Sequence, residues 1–212
     1  MSYKILKPIG PALYYTQLDD SVIKMLSDVC ESSRNAHVDV GMTLAGNLEQ
    51  QWAAIFNPEQ RIQFQKEMHE HIFSALVEMD IDSNIIFQSA PDKEKVRYNL
   101  GTGPWINFQQ PGEFNPYHNH SGSLSAVIYI SVPEEIEQEN TEISFSTNMP
   151  SAGKICFIYG ADGFGIHSSY AHPPKTGEMF IFPACLKHLV YPYKSNVERI
   201  SMSFNVHNIV TQ

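Results

Sequence analysis

Positive charge is scarce in this chain. Against 23 Asp and Glu there are 14 Lys and Arg, leaving a formal net charge of −9 over 212 residues. That balance opposes non-specific attraction to phosphate backbones, so a nucleic-acid partner is not expected. Long apolar runs are also missing: nothing approaches the ~20 residues of a membrane span, and Met1-Ser2-Tyr3-Lys4-Ile5-Leu6 lacks the apolar core of a signal peptide. A soluble, cytoplasmic protein without a membrane partner is the expectation. The three cysteines, Cys30, Cys156 and Cys185, are odd in number, far apart and set in apolar contexts. They read as buried reduced thiols rather than a disulfide framework. No internal repeat or low-complexity linker divides the chain, and its length suits one domain over 1–212 with a full core.

What is present changes texture along the chain. Residues 1–90 read as largely helical support. Asp19 and Asp20 stand as N-caps before Val22, Ile23, Met25, Leu26, Val29 and Cys30, one apolar helical face. Asn57-Pro58-Glu59 is a second start signal, and Ile62, Met68, Ile72, Leu76 and Met79 form a stripe that ends near Asp80. Gly41–Gln51 reads as loop or short extended structure. From about Lys95, short apolar runs alternate with Gly, Pro, Ser and Asn, the pattern of an antiparallel sandwich or barrel. Expected strands are 96–100, 105–109, 125–131, 141–145, 154–159, 178–183 and 199–207. The acidic run Glu134-Glu135-Ile136-Glu137-Gln138-Glu139 reads as a solvated loop. The fold class is therefore mainly β with supporting N-terminal helices, the 95–210 part being a double-stranded β-helix, or jelly roll.

Four segments carry chemistry. In Pro116-Tyr117-His118-Asn119-His120 the two imidazoles share a face if the segment is extended, so both can reach one ion. Alone, the pair is as easily structural. His188 strengthens it, because it follows the buried run Met179-Phe180-Ile181-Phe182-Pro183 and would sit at a strand mouth. Eleven residues on, Arg199 and Ser201 alternate with Ile200 and Met202, which turns the polar pair either inward to a cavity or outward to water. An arginine fork with a hydroxyl two residues on suits one carboxylate. Tyr129 is either a core tyrosine or a third donor. His69 and His71 lie on different helix faces and cannot share a metal; His167 and His172 read as surface loop residues, and His37 and His207 have no context.

These segments, with Trp105-Ile106-Asn107, Leu124–Ile130, Gly177–Pro183 and Glu198–Asn205, resemble the Fe(II)- and 2-oxoglutarate-dependent oxygenases, and among them the prolyl-hydroxylase-like oxygenases of bacteria and phages. Thr43-Leu44-Ala45-Gly46-Asn47 is similar to a stretch upstream in that group. The resemblance implies Fe(II) as cofactor and 2-oxoglutarate as cosubstrate, and admits ascorbate as an accessory reductant. It implies His118 and His188 as iron ligands, and Arg199, Ser201 and Tyr129 as the residues that hold the far carboxylate. Most relatives carry Asp or Glu where this chain has His120. Either the centre has three histidines, or a ligand such as Glu113 comes from elsewhere. The implied reaction couples decarboxylation of 2-oxoglutarate with dioxygen to hydroxylation of a small-molecule or peptide substrate, chosen by loops such as Arg34–Gln51, Asn84–Glu94 and Gly160–Lys175. A cupin-like three-histidine dioxygenase without a 2-oxo acid, a non-catalytic β-sandwich module, and activity on an alkylated nucleobase are the alternatives.

Overall fold

Side-chain alternation on two facing antiparallel sheets decides what fills this molecule's interior. The computed structural model describes residues 2–79, 92–161, 163 and 167–211. In chain order the elements are β1 (Tyr3–Leu6), β2 (Leu13–Gln17), α1 (Asp20–Ala36), β3 (Gln51–Ala53), α2 (Pro58–Glu78), β4 (Val96–Asn99), β5 (Trp105–Gln109), β6 (Asn115–His118), β7 (Leu124–Ser131), α3 (Glu134–Ile143), β8 (Ile155–Ile158), β9 (Ser169–His172), β10 (Glu178–Pro183), β11 (Lys187–Val190) and β12 (Arg199–Thr211). The larger sheet runs β1-β2-β10-β7-β12-β5-β3, with β4 paired to the far half of β12; the smaller runs β6-β11-β8-β9. The architecture is the jelly roll expected from the sequence.

Each central strand of the larger sheet divides its side chains between two cores. Ala126, Ile128, Met179, Ile181, Met202 and Phe204 face one layer, where they pack with Val22, Leu26 and Val29 of α1 and Phe64, Met68 and Ile72 of α2. Val127, Tyr129, Phe180 and Phe182 point the other way and meet Ile155, Phe157 and Val190 of the smaller sheet. On β12 that inward face belongs to Arg199, Ser201 and Ser203, all buried. The polar face of this strand therefore runs into the molecule, where its groups need partners.

Helix α2 starts as its sequence predicts: Asn57 Oδ1 accepts from Gln60 N at 2.9 Å while Asn57 N donates to Gln60 Oε1 at 3.0 Å, with Pro58 at the first helical position. Its end falls at Glu78; Asp80 lies outside the described residues. Among the described residues no helix is long and apolar enough to cross a membrane.

Six expectations are corrected. Residues 1–90 contribute strands as well as helices, because β1, β2 and β3 extend the larger sheet. Ile62 is exposed, and Phe64 takes its place in the buried stripe. The acidic run is helical, and 141–145 is not a strand: α3 covers Glu134–Ile143, with Glu134, Glu135 and Glu137 in its first turn, where the helix dipole favours carboxylates, and Ile136 and Asn140 buried beneath it. His172 belongs to β9 and gives Nε2 to Glu178 at 2.7 Å, so it is not a surface loop residue. Cys30 and Cys156 are buried thiols, but Cys185 is exposed. Of the loops expected to choose substrate, residues 84–91, 162 and 164–166 lie outside the described set.

Candidate metal centre

Antiparallel pairing of β6 with β11 sets His118 directly opposite His188. The chain leaving β6 is then held against the β10–β11 connection, since His120 N donates to Ala184 O at 2.9 Å. As a result the three imidazoles meet, with ring centroids 4.3 Å apart for His118 and His188, 4.9 Å for His118 and His120, and 5.1 Å for His120 and His188. One nitrogen from each lies within 4.8 Å of the other two.

Two of these rings are fixed in orientation. Nδ1 of His118 lies 2.6 Å from Pro116 O and Nδ1 of His188 lies 3.0 Å from Leu186 O. A carbonyl only accepts, so Nδ1 carries the proton and Nε2 keeps its lone pair, the arrangement that metal-binding histidines use. Burial, reinforced by the neighbouring imidazoles, pushes His188 down to about 3 and His120 to about 4, and burial lowers His118 as well. All three are neutral at neutral pH, which is the ligand form. Among the described residues no carboxylate joins them. Glu113 is engaged elsewhere: its carboxylate accepts from Glu49 N at 2.8 Å and Gln110 N at 2.7 Å, a staple between two loops.

The same cavity contains Arg199, Ser201 and Tyr129. Ser201 pairs with Tyr129 across β12 and β7, and the Arg199 guanidinium carbon stands 5.6 Å from the Tyr129 ring centroid. Arg199 is 3 % exposed, yet it forms no ion pair among the described residues. Its Nη1 and Nη2 donate to Gly153 O and Gln109 Oε1, while its Nε and the Tyr129 hydroxyl have no partner. A buried cation with neutral partners and two unused donors is costly unless an anion completes it. The chemistry of the donor set therefore fits a transition metal held by imidazole nitrogens beside a carboxylate. The free space at the centre is about 40 Å³, room for one or two waters. A dicarboxylate enters only if a lining side chain such as Gln109 moves.

All six residues singled out from the sequence thus share one cavity, and His69, His71, His167 and His172 lie outside it. His71 is a buried core residue whose Nδ1 lies 2.8 Å from the Tyr14 hydroxyl. Sequence reasoning missed the polar floor made by Gln51, Asn107 and Gln109, in which Gln51 Nε2 donates to Asn107 Oδ1 at 3.0 Å. The signal was available, as Asn107 and Gln109 alternate with Ile106 and Phe108 on one short strand.

Residues 103–205, a span containing every one of the six, match the family model described as "Putative 2OG-Fe(II) oxygenase". No curated protein sequence matches the chain. Among solved structures, a Pseudomonas putida prolyl-4-hydroxylase superposes with a TM-score of 0.59 at 14 % identity, over 92 % of each chain. A Trichoplax adhaerens prolyl hydroxylase, solved with a hypoxia-inducible-factor peptide fragment, gives 0.55 at 9 %, over 97 % of this chain and 83 % of its own. HygX from Streptomyces hygroscopicus, solved with nickel, 2-oxoglutarate and hygromycin B, gives 0.55 at 10 %, over 92 % and 82 %. At these identities the likeness is one of fold.

Proposed function

We propose that this chain, which belongs to the 2OG-Fe(II) oxygenases through residues 103–205, is an Fe(II)- and 2-oxoglutarate-dependent hydroxylase acting on a prolyl residue or a small amino-acid-like substrate. The observation that carries the reading is Arg199, a buried cation without a carboxylate partner among the described residues, set in one cavity with three convergent imidazoles and a tyrosine hydroxyl that has no hydrogen-bond partner among those residues. His118, His120 and His188 would hold the iron; Arg199 and Ser201, with Tyr129, would hold the far carboxylate of 2-oxoglutarate. The bound iron and cosubstrate supply the activation of dioxygen, with succinate and carbon dioxide as co-products.

The protein's own share is positional and electrostatic. Carbonyls of Pro116 and Leu186 fix the tautomer and ring plane of His118 and His188. His120 contributes a neutral imidazole where most relatives have a carboxylate, so the ferrous centre keeps one more unit of positive charge and draws the anionic cosubstrate more strongly. Imidazole also suits zinc, nickel and copper, which makes metal identity a point to control in purified protein. Arg199 would exchange Gln109 Oε1 for the incoming carboxylate, and Tyr129 would donate its hydroxyl. Phe157 and Phe182 pack against His188, with centroids 6.1 and 4.9 Å away, and keep bulk water from that side.

A histidine cluster that no carboxylate joins among the described residues favours one second reading, a cupin-like dioxygenase that binds substrate directly to the metal. The two separate in a single assay of succinate and oxygen with Fe(II)-loaded protein. The proposed function requires succinate formation that depends on 2-oxoglutarate and iron and disappears in His188→Ala. Oxygen uptake that ignores 2-oxoglutarate supports the cupin-like reading instead.

A further inference from the structure

Among the described residues lining the Arg199 cavity none belongs to α3, yet this helix grips the two turns that hold Arg199. The first turn spans residues 151–154 and closes with Lys154 N donating to Ser151 O at 3.1 Å; its third residue, Gly153, has a φ of +64°. Gly153 O accepts from Arg199 Nη1. A Cβ on Gly153 would stand 2.7 Å from Ile136 Cγ2 and 3.6 Å from Arg199 Nη1, so the turn is pressed between helix and guanidinium with no space for a side chain. Buried Asn140 fixes the turn from the helix side, its Nδ2 donating to Ala152 O at 2.8 Å and to Ile136 O at 3.1 Å.

The second turn, at 193–195, holds the Arg199 backbone. The buried Tyr193 hydroxyl accepts from Arg199 N at 3.1 Å and donates to Gln109 O at 2.5 Å, so it ties together the residue pair that sets β12 against β5. Glu139 of α3 closes this turn, its Oε2 accepting from Lys194 N and Ser195 N, each at 2.8 Å, and from Ser195 Oγ at 2.7 Å. Ile136, Ala152 and Tyr193 fill the space between the two turns as a small apolar cluster of their own, distinct from the two cores of the sandwich. Two consecutive residues of one helix thus reach Arg199 from both ends, Asn140 toward its guanidinium and Glu139 toward its backbone.

Arg199 needs such support because no ion pair among the described residues fixes its head. Once a carboxylate replaces Gln109 Oε1, Gly153 O is the acceptor that remains on the guanidinium among those residues. The fork of N–H donors matches a carboxylate only in one plane, so its aim then follows the position of that carbonyl. We infer that Asn140 and Glu139 are positioning residues for cosubstrate binding, through which α3 sets the aim of Arg199 without touching cosubstrate or metal. The inference rests on the oxygenase reading above and adds to it the element that tunes affinity for 2-oxoglutarate.

The test is a double-mutant cycle on the whole protein, loaded anaerobically with Fe(II) and titrated with 2-oxoglutarate. Two quantities are read: iron bound per chain, and the half-saturating concentration of the metal–cosubstrate absorption band, or its initial slope where a variant does not saturate. Asn140→Leu removes both side-chain donations and should raise the half-saturating concentration about tenfold, the equivalent of one lost hydrogen bond, with iron per chain unchanged. In an Arg199→Ala background the same substitution should add less than about twofold, because the residue through which it acts is gone. Glu139→Gln repeats the cycle from the second turn, with the same two results expected, and carries the test if Asn140→Leu does not fold. Unchanged affinity in either folded variant overturns the assignment of that residue, and an equal loss with and without Arg199 overturns the inference. Iron lost together with cosubstrate affinity overturns it as well, since α3 is then a general prop for the fold. Absence of the band in wild type overturns instead the oxygenase reading on which the inference stands.

Discussion

Replacing Arg199 by alanine should separate cosubstrate binding from metal binding. The guanidinium touches none of the three histidines, and its two engaged nitrogens donate to Gly153 O and Gln109 Oε1. Truncating one partner of a buried charge pair costs ~2–5 kcal/mol, which is on the order of 30-fold to several-thousand-fold in affinity. We therefore expect the 2-oxoglutarate concentration at half-maximal succinate formation to rise by that range, with iron binding unchanged. The effect on folding works in two directions. Loss of the residue removes a buried cation but strands two acceptors, each worth ~1–3 kcal/mol if left unpaired, so a urea midpoint measured beside the kinetics is part of the assay. Arg199→Lys should recover only part of the loss, because an ammonium is a point charge and not a planar fork. A folded Arg199→Ala protein with wild-type dependence on 2-oxoglutarate refutes the reasoning.

His120→Asp changes the neutral ligand to a carboxylate and lowers the charge of the centre by one; the variant should keep iron while binding 2-oxoglutarate more weakly, which parallel metal analysis and cosubstrate titration will read. The metal-free protein should lose stability as pH falls below 6.5, because the unfolded chain takes up protons there while buried His188, pushed down to about 3, does not. By pH 5 His188 alone contributes about 2 kcal/mol to that loss; a urea midpoint equal or higher at pH 5 than at pH 7 contradicts the sign. Asn57→Ala removes the reciprocal cap of α2 and should cost about 1 kcal/mol in denaturant unfolding with activity retained; an unchanged midpoint counts against the cap.

Much of the site was legible because its chemistry and its strand period coincide. Arg199, Ser201 and Ser203 alternate with Ile200, Met202 and Phe204, so one decision about which face is buried places the whole set. The direction of that face was not legible, since a polar stripe looks the same against water as against a cavity. It turns inward because the apolar face of β12 is taken by α1 and α2. Strand β2 escaped notice for a related reason: Leu13, Tyr14 and Thr16 are all buried, as a strand covered on both sides shows no alternation. Helix α3 was hidden because only Ile136 and Asn140 of its ten residues are buried, too few for a stripe. The convergence of His120 depended on one hydrogen bond to Ala184, a contact between segments more than sixty residues apart that no local pattern encodes.

The most direct test of the central claim is an anaerobic absorption titration of metal-free protein, first with Fe(II) and then with 2-oxoglutarate. The account predicts one iron per chain and a visible charge-transfer band that saturates with one equivalent of cosubstrate, weakens in Arg199→Ala and is absent in His188→Ala. Iron binding with no band on addition of 2-oxoglutarate, or no stoichiometric iron binding at all, would contradict it.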